Sequence, residues 1–354
     1  MNKGIFERIS KTNHEQIVYC NDKSSGLKAI IAIHNTILGP ALGGCRMYPY
    51  KNEHDALVDV LRLSRGMTYK ASIANLNLGG GKAVIIADPA SDKSEVLLRS
   101  FGKFVESLNG AYITAEDVGM SVHDMEFIRM ETNHVTGIKR AMGGSGDPSI
   151  LTAYGLFVGM QAALKKRLGI TSMRDLKVGI QGFGNVGYNL CKHLHEAGAI
   201  IYGYDIDQEK LDNVVNTFGV IPVSNEKLIS LDLDVFSPCA LGAVINPDSI
   251  KKLKCSIIAG AANNQLEEES RDSKLLLSKK IMYVPDYVIN AGGLMNVANE
   301  LQGYNKEKAR YQVEGIYHIL MRIFDYAATN NISTLEAANL LAERRVDEFI
   351  KWHH

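Results

Sequence analysis

Leu176-Lys177-Val178-Gly179-Ile180-Gln181-Gly182-Phe183-Gly184-Asn185-Val186-Gly187 is an apolar run that passes directly into Gly-x-Gly-x-x-Gly. The run predicts a buried strand, and Val186, Leu190 and Leu194 then recur at helical spacing. Glycine at these three places allows a tight turn, close approach of a pyrophosphate and close packing of helix on strand. The helix start adds free N–H groups and partial positive charge. A second strand, Ala199 to Tyr204, ends at Asp205, 18 residues after Gly187. That is near the offset of about 20 residues expected for the acid that binds ribose hydroxyls. Asp205 would repel a 2′-phosphate, and Ile206 supplies no compensating cation, so the reading is NAD rather than NADP. Gly182, Phe183, Gly184, Asn185, Val186, Gly187, Asp205 and Ile206 are the cofactor-binding candidates of this motif.

Further strands end at Ser237-Pro238-Cys239-Ala240, at Gly260-Ala261-Ala262-Asn263-Asn264 and at Pro285-Asp286. In an open parallel sheet, ligands lie beyond the carboxyl ends of the strands, so these loops and Gly182 should face one crevice. Cys239 and Ala240 are placed beside the cofactor. Cys239 reads as a small packing residue, because no base adjoins it in sequence. Asn264 offers both a donor and an acceptor to cofactor and substrate. Leu294 and Val297, three apart after Gly292-Gly293, share one helix face. Asn305 to Ala328 reads as one long helix. Ser333 with Glu336 has the form of a capping box opening a last helix to about Lys351.

Towards the N-terminus, Gly143 to Ser149 clusters glycine and proline and predicts a domain boundary. Residues 1–147 then form a first domain, joined by the C-terminal helix 331–354, and residues 148–330 form the nucleotide-binding domain. In the first domain, Leu27 to His34 predicts a strand, and Gly39-Pro40-Ala41-Leu42-Gly43-Gly44 a turn before Arg46. Such a run binds an anion through backbone N–H groups or is a plain turn, the commoner case. Ala56, Leu57, Val60, Leu61 and Ser64 predict a helix from Glu53 to about Arg65, with Lys70 at or just past its end as a dipole partner. Asp92 with Glu95 reads as a capping box for a helix turning Val96, Leu97, Phe101, Phe104, Val105 and Leu108 inward. Tyr112 to Ala115 is a short strand, with Asp117 just past its end and a further cap at Ser121 and Asp124.

Asn77-Leu78-Gly79-Gly80-Gly81-Lys82-Ala83-Val84-Ile85-Ile86 predicts a tight glycine loop that enters a strand at Lys82. A lysine withdrawn from water can serve as a base at about pH 7–8. A solvated lysine after a turn reads equally well from the loop alone.

The 354 residues are enough for about two domains, and 46% hydrophobic content excludes disorder. A formal net charge of +0 points to neither nucleic acid nor an anionic membrane. Five scattered cysteines without a C-x-x-C pair argue against disulfides and zinc and fit a reducing cytoplasm. No signal peptide, membrane span or metal site is expected. His353 and His354 are given no function.

Taken together, Gly39 to Gly44, Arg65-Gly66-Met67-Thr68-Tyr69-Lys70, Leu78 to Lys82, Thr114 to Gly119, Gly182 to Gly187, Pro238 to Gly242 and Pro285 to Gly293 resemble the glutamate/leucine/phenylalanine/valine dehydrogenase family, on its leucine-acting side. The resemblance implies an α/β protein of two domains separated by a cleft. One is an N-terminal α/β domain of the amino-acid dehydrogenase type, the other a Rossmann-type NAD-binding domain. It implies that Lys82 is the catalytic lysine that activates water, and that Asp117 exchanges protons with the substrate amine. Lys70 would hold the substrate α-carboxylate, helped by backbone near Gly44 and by Asn264, with Met67 in the same segment. Thr152 would lie near the nicotinamide carboxamide. Lys82 would be uncharged, its neighbour Lys70 helping to keep it so. Glutamate-specific relatives carry a lysine at the position of Leu42. Leu42, Ala115, Leu294 and Val297 would instead meet an apolar side chain.

The implied activity is reversible, NAD-dependent oxidative deamination of leucine and other branched-chain L-amino acids, with release of ammonia. A dehydrogenase of aromatic amino acids, of the phenylalanine or tryptophan type, is the alternative. A catalytically silent NAD-binding subunit is the alternative of another class. The partners expected are an amino-acid substrate and copies of the same chain, in a homo-oligomer or octamer.

Overall fold

The computed structural model describes residues 5–240 and 242–353. Leu241, within one of the quoted family segments, and His354 lie outside the described residues. The elements of the first half are α1 (Ile5–Thr12), β1 (Gln16–Asp22), β2 (Leu27–Asn35), β3 (Ala41–Tyr48), α2 (Glu53–Ile73), β4 (Gly79–Ile86), α3 (Glu95–Ser107), β5 (Tyr112–Glu116) and α4 (Val122–Arg129). Those of the second are α5 (Ser149–Leu168), β6 (Lys177–Gln181), α6 (Asn185–Glu196), β7 (Ile200–Tyr204), α7 (Gln208–Phe218), β8 (Ile221–Pro222), α8 (Asn225–Ser230), β9 (Val235–Pro238), α9 (Pro247–Lys252), β10 (Ile257–Ile258), α10 (Glu269–Ser278), β11 (Met282–Tyr283), α11 (Asp286–Ile289), α12 (Gly292–Ala298), α13 (Lys306–Glu314), α14 (Ile316–Asn330) and α15 (Thr334–His353). Two compact units result. One comprises 1–147, 297–306 and 342–354, and the other 148–296 and 307–341. The last helix is therefore divided between them rather than belonging wholly to the first.

The first unit holds a mixed sheet in the order β1-β2-β4-β3-β5, with β3 parallel to both β4 and β5. Alternation along a strand sends successive side chains to opposite faces. Ile30 and Ala32 of β2 and Val84 of β4 pack under Ala56, Leu57, Val60 and Leu61 of α2. Ile31, Ile33, Cys45, Met47, Ala83 and Ile85 face the other way, onto Leu97 and Phe101 of α3 and Met125 and Ile128 of α4.

The second unit is a six-stranded parallel sheet in the order β11-β10-β9-β6-β7-β8. Chain order reverses between β6 and β9, which is the ligand-binding switch point of a doubly wound sheet.

Several expectations need correction. Gly79, Gly80 and Gly81 are not a loop but the first residues of β4. A Cβ on Gly80 would lie 2.1 Å from the Thr68 nitrogen of α2, and one on Gly81 would lie 2.7 Å from the Tyr112 ring. These glycines serve close packing, not turning. Gly43 and Gly44 likewise lie within β3. Helix α2 continues through Gly66 to Ile73, because its buried row extends to Thr68, Ala71 and Ser72. That packing outweighs the roughly 1 kcal/mol helix cost of one glycine. Lys70 thus sits inside the last turn. Ser94, not Asp92, caps α3 by accepting from Leu97 N–H, while Asp92 accepts from Asp88 N–H. Val96 is exposed rather than turned inward. The segment expected as one helix from Asn305 breaks at Gly315 into α13 and α14. Ser121 and Asp124 do form the expected capping box.

Candidate active site

Lys82 lies in the middle of β4 on the face covered by α2, with Ala32 as its Cα partner on β2. Its side chain is only 7% exposed, and its Nζ is 3.1 Å from Asp117 Oδ1. Asp117 follows β5 directly. Gly44 on the neighbouring β3 makes room for it, since a Cβ there would fall 2.9 Å from Asp117 Cβ. Arg46 Nε donates to the second oxygen, Asp117 Oδ2, at 2.9 Å. Burial raises the proton affinity of Asp117, but Lys82 and Arg46 together outweigh it and hold the carboxyl below its ordinary value. The amine expected to be uncharged is therefore one half of an ion pair with the other expected catalytic group.

The next layer is not legible in the sequence. Arg46 Nη1 donates to Asp59 Oδ2 of α2 at 2.8 Å, and Tyr50 OH donates to that same oxygen at 2.7 Å. Arg62 Nη2 donates to Asp59 Oδ1 at 3.1 Å. The one available signal was a charge at position 46 between Cys45 and Met47, both fully buried, because a charge in such a strand needs a partner.

Glu116, beside Asp117, differs. Burial first, then the carboxylates of Asp147, Asp117, Asp124 and Glu300, push its carboxyl up to about 7. A folded value above the ordinary 4.5 contributes stability that is complete below that pH and lost as pH rises through about 7. Glu116→Gln is thus expected to be more stable than the parent at pH 8, by about 1 kcal/mol after allowance for solvent screening, and no different at pH 4.5. Urea midpoints at the two pH values check this; a pH-independent difference would show that ionisation of Glu116 is not its source.

Among the other expected substrate residues, Met67 packs 3.2 Å from the position of a Cβ on Gly43. Lys70 lies one turn on, in α2. The register of β2 against β4 shifts between Ile33 and Asn35. His34 continues the row of Ile30 and Ala32 on the face towards α2, and its Nδ1 meets Thr68 Oγ1 at 2.8 Å. Burial and the nearby His14 lower the pKa of His34 to about 4, so it is neutral at pH 7. Leu42 and Ala115 are buried on β3 and β5, and Leu294 and Val297 on α12.

At the switch point of the parallel sheet, Gly182 has φ +100°, and a Cβ there would sit 2.6 Å from Ala240 Cβ. A Cβ on Gly187 would be 2.0 Å from Gly182 O, whereas one on Gly184 would meet open space. Gly184 also precedes the first turn of α6. Two glycines therefore close the turn, and the third leaves bare backbone where a pyrophosphate would lie, so these residues fit a dinucleotide. Asp205 Oδ2 accepts from Phe183 N–H at 2.6 Å and Oδ1 from Asp207 N–H at 2.9 Å. Both oxygens keep lone pairs for ribose hydroxyls. Ile206 is 91% exposed beside them. Burial raises the pKa of the Cys239 thiol, and its sulfur lies 3.3 Å from Ser237 Oγ. Thr152 Oγ1 donates to Pro148 O in the first turn of α5, and a Cβ on Gly293 would lie 2.6 Å from that hydroxyl. Asn264 is exposed with φ +52°. All five cysteines are free. Among the described residues no helix is long and apolar enough to cross a membrane.

The family described as "Glu/Leu/Phe/Val dehydrogenase, dimerisation domain" matches residues 14–134. The one described as "Glutamate/Leucine/Phenylalanine/Valine dehydrogenase" matches 143–208 and 204–353. A leucine dehydrogenase of Thermoactinomyces intermedius is 53% identical over 343 residues, covering 97% of this chain and 93% of that protein. An L-tryptophan dehydrogenase of Nostoc punctiforme is 50% identical over 342 residues, covering 97% and 96%. The crystal structure of L-tryptophan dehydrogenase from Nostoc punctiforme superposes with a TM-score of 0.86 at 48% identity, over 98% of this chain and 99% of that one. With a doubly wound dinucleotide sheet and a lysine–aspartate pair both in place, this chain belongs to the Glu/Leu/Phe/Val dehydrogenase family of NAD(P)-dependent amino-acid dehydrogenases.

Proposed function

We propose that this chain catalyses the reversible, NAD-dependent oxidative deamination of L-leucine and other branched-chain L-amino acids, with release of ammonia. The observation that carries the reading is the contact of a buried Lys82 with Asp117, in a chain 53% identical to a leucine dehydrogenase. When bound, NAD accepts the hydride from the substrate α-carbon. The residues of the chain do the rest. Asp117 Oδ1, 3.1 Å from Lys82 Nζ, takes the proton that leaves the amine neutral. Lys82 then removes a proton as water adds to the substrate iminium carbon. Asp117 hands its own proton to the nitrogen; as the C–N bond breaks and ammonia departs, the freed carboxylate takes the hydroxyl proton, which leaves a 2-oxo acid and one extra proton on the enzyme for release to solvent.

Lys70, with backbone at Gly44 and with Asn264, holds the α-carboxylate, and Met67 borders the same strand. Leu42, Ala115, Leu294 and Val297 are each apolar contacts of the substrate side chain. A glutamate carboxylate there would be left unpaired at a cost of several kcal/mol. The Gly182–Gly187 turn, Asp205, Ile206, Thr152, Cys239 and Ala240 serve the cofactor. Asp205 with an exposed, uncharged Ile206 favours NAD over its 2′-phosphorylated form. The chain acts in the cytoplasm as a homo-oligomer, an octamer being the form the resemblance implies, which sedimentation tests.

A second reading, deamination of an aromatic amino acid, is favoured by the 50% identity to an L-tryptophan dehydrogenase. Rates with leucine, valine, phenylalanine and tryptophan, each with NAD and NADP, decide. Leucine or valine with NAD should give the highest kcat/KM. An aromatic substrate turned over while leucine is not would give the second reading. Cofactor binding with no amino-acid-dependent turnover would leave a silent binding subunit.

A further inference from the structure

We propose that Arg46, clamped by Asp59, is a positioning residue that reserves one oxygen of Asp117 and so confines proton exchange to the other. The proposal rests on the deamination reading above and assigns it a residue outside the lysine–aspartate pair. Arg46 bridges three elements. It stands on β3, its Nε reaches Asp117 Oδ2 after β5 at 2.9 Å, and its Nη1 reaches Asp59 Oδ2 on α2 at 2.8 Å. Asp59 is itself fixed by Tyr50 OH on one oxygen and Arg62 on the other. Two carboxylates thus hold a half-buried guanidinium, and two further polar groups fix one of those carboxylates.

The chemistry of the two cations then divides the carboxylate. A guanidinium does not deprotonate in proteins, so Oδ2 keeps its partner through every step. Lys82, on Oδ1, changes charge during water attack. Oδ1 alone is released to take a proton or to face a substrate nitrogen. The planar guanidinium reaches Asp117 through Nε and Asp59 through Nη1 at the same time, in fixed directions that a single ammonium lacks. Gly44 contributes by letting the start of the Asp117 loop lie against β3, next to the Arg46 backbone.

The test is the pH dependence of kcat and KM for leucine deamination in the parent enzyme, Arg46→Met and Arg46→Lys. Removal of a cation at hydrogen-bond distance makes protonation of Asp117 easier. In Arg46→Met the acid limb of kcat should move up by about one pH unit or more, with kcat about 10–100-fold lower on that limb and KM little changed. Arg46→Lys should fall between, regaining part of the shift. An unmoved limb would overturn the inference. So would a raised KM with kcat retained, which is the signature of a substrate ligand. Should Arg46→Met prove insoluble, the lysine variant decides on the same two criteria. Parent enzyme with no amino-acid-dependent turnover would instead remove the deamination reading, and this inference with it.

Discussion

Lys82→Ala is expected to lower kcat for amino-acid deamination by about 10²–10⁴-fold, the range lost with a positioned acid–base group. NAD affinity should be unchanged, since the dinucleotide motif begins a hundred residues further along the chain, on another sheet. The variant should also fold. Removing one member of a buried ion pair ordinarily costs about 3–5 kcal/mol, because a charge is left without a partner. Here Asp117 keeps Arg46 at 2.9 Å, so the cost should be well below that range. Loss of turnover without loss of structure is thus the distinguishing result, read from steady-state rates beside a denaturant melt and an NAD titration. Turnover near that of the parent would remove Lys82 from the chemistry. Asp117→Asn should behave differently, for it leaves a lysine only 7% exposed without its carboxylate, and stability should fall along with rate.

The contrast between the two halves of the chain explains what could be read from sequence. The nucleotide motif is local. Gly182, Gly184, Gly187 and Asp205 lie within 24 residues, and Asp205 bonds the Phe183 N–H of the same turn. Spacing alone therefore carries the geometry. Gly79 to Gly81 carry the opposite lesson. Their local signal is a turn, but what they serve is contact with Thr68 on α2 and Tyr112 on β5. No window around residue 80 contains those partners. The end of α2 is illegible for the same reason, because Gly66 is a local breaker and the buried row that carries the helix past it is set by β4. Lys82 and Asp117 were found through resemblance, but the polar chain behind them was not. Arg46 and Asp117 are 71 positions apart, and Arg46 and Asp59 occupy different elements, so their pairing exists only after the sheet forms. Glu116 is hidden in the sequence for a related reason. Its raised pKa comes from burial and from carboxylates as distant in sequence as Glu300.

The same dependence of the site on packing gives the second large effect. Gly80→Ala should destabilise the first unit by about 3 kcal/mol or more, at or above the usual upper end for overpacking, and lower kcat/KM by about 10²-fold. The added Cβ would sit 2.1 Å from the Thr68 nitrogen, 2.2 Å from its Oγ1 and 2.6 Å from Ser64 O. Two of those atoms belong to the backbone of α2, so no rotamer change relieves the clash, and the helix must move off the strand by about 1 Å. That helix carries Lys70 and Met67 near its end and Asp59, the anchor of Arg46, near its start. Misplacing such groups by 1 Å is enough for the rate loss given above. The His34–Thr68 contact, made on the same turn, should open as well. Gly184→Ala provides the control, because a Cβ there meets open space and Gly184 has φ −64°. It should leave stability nearly unchanged and weaken only the cofactor. Equilibrium urea unfolding of both variants, with NAD titrations, separates the two cases. A Gly80→Ala protein with the parent's midpoint and rate would mean that α2 does not rest on β4 as closely as these distances require.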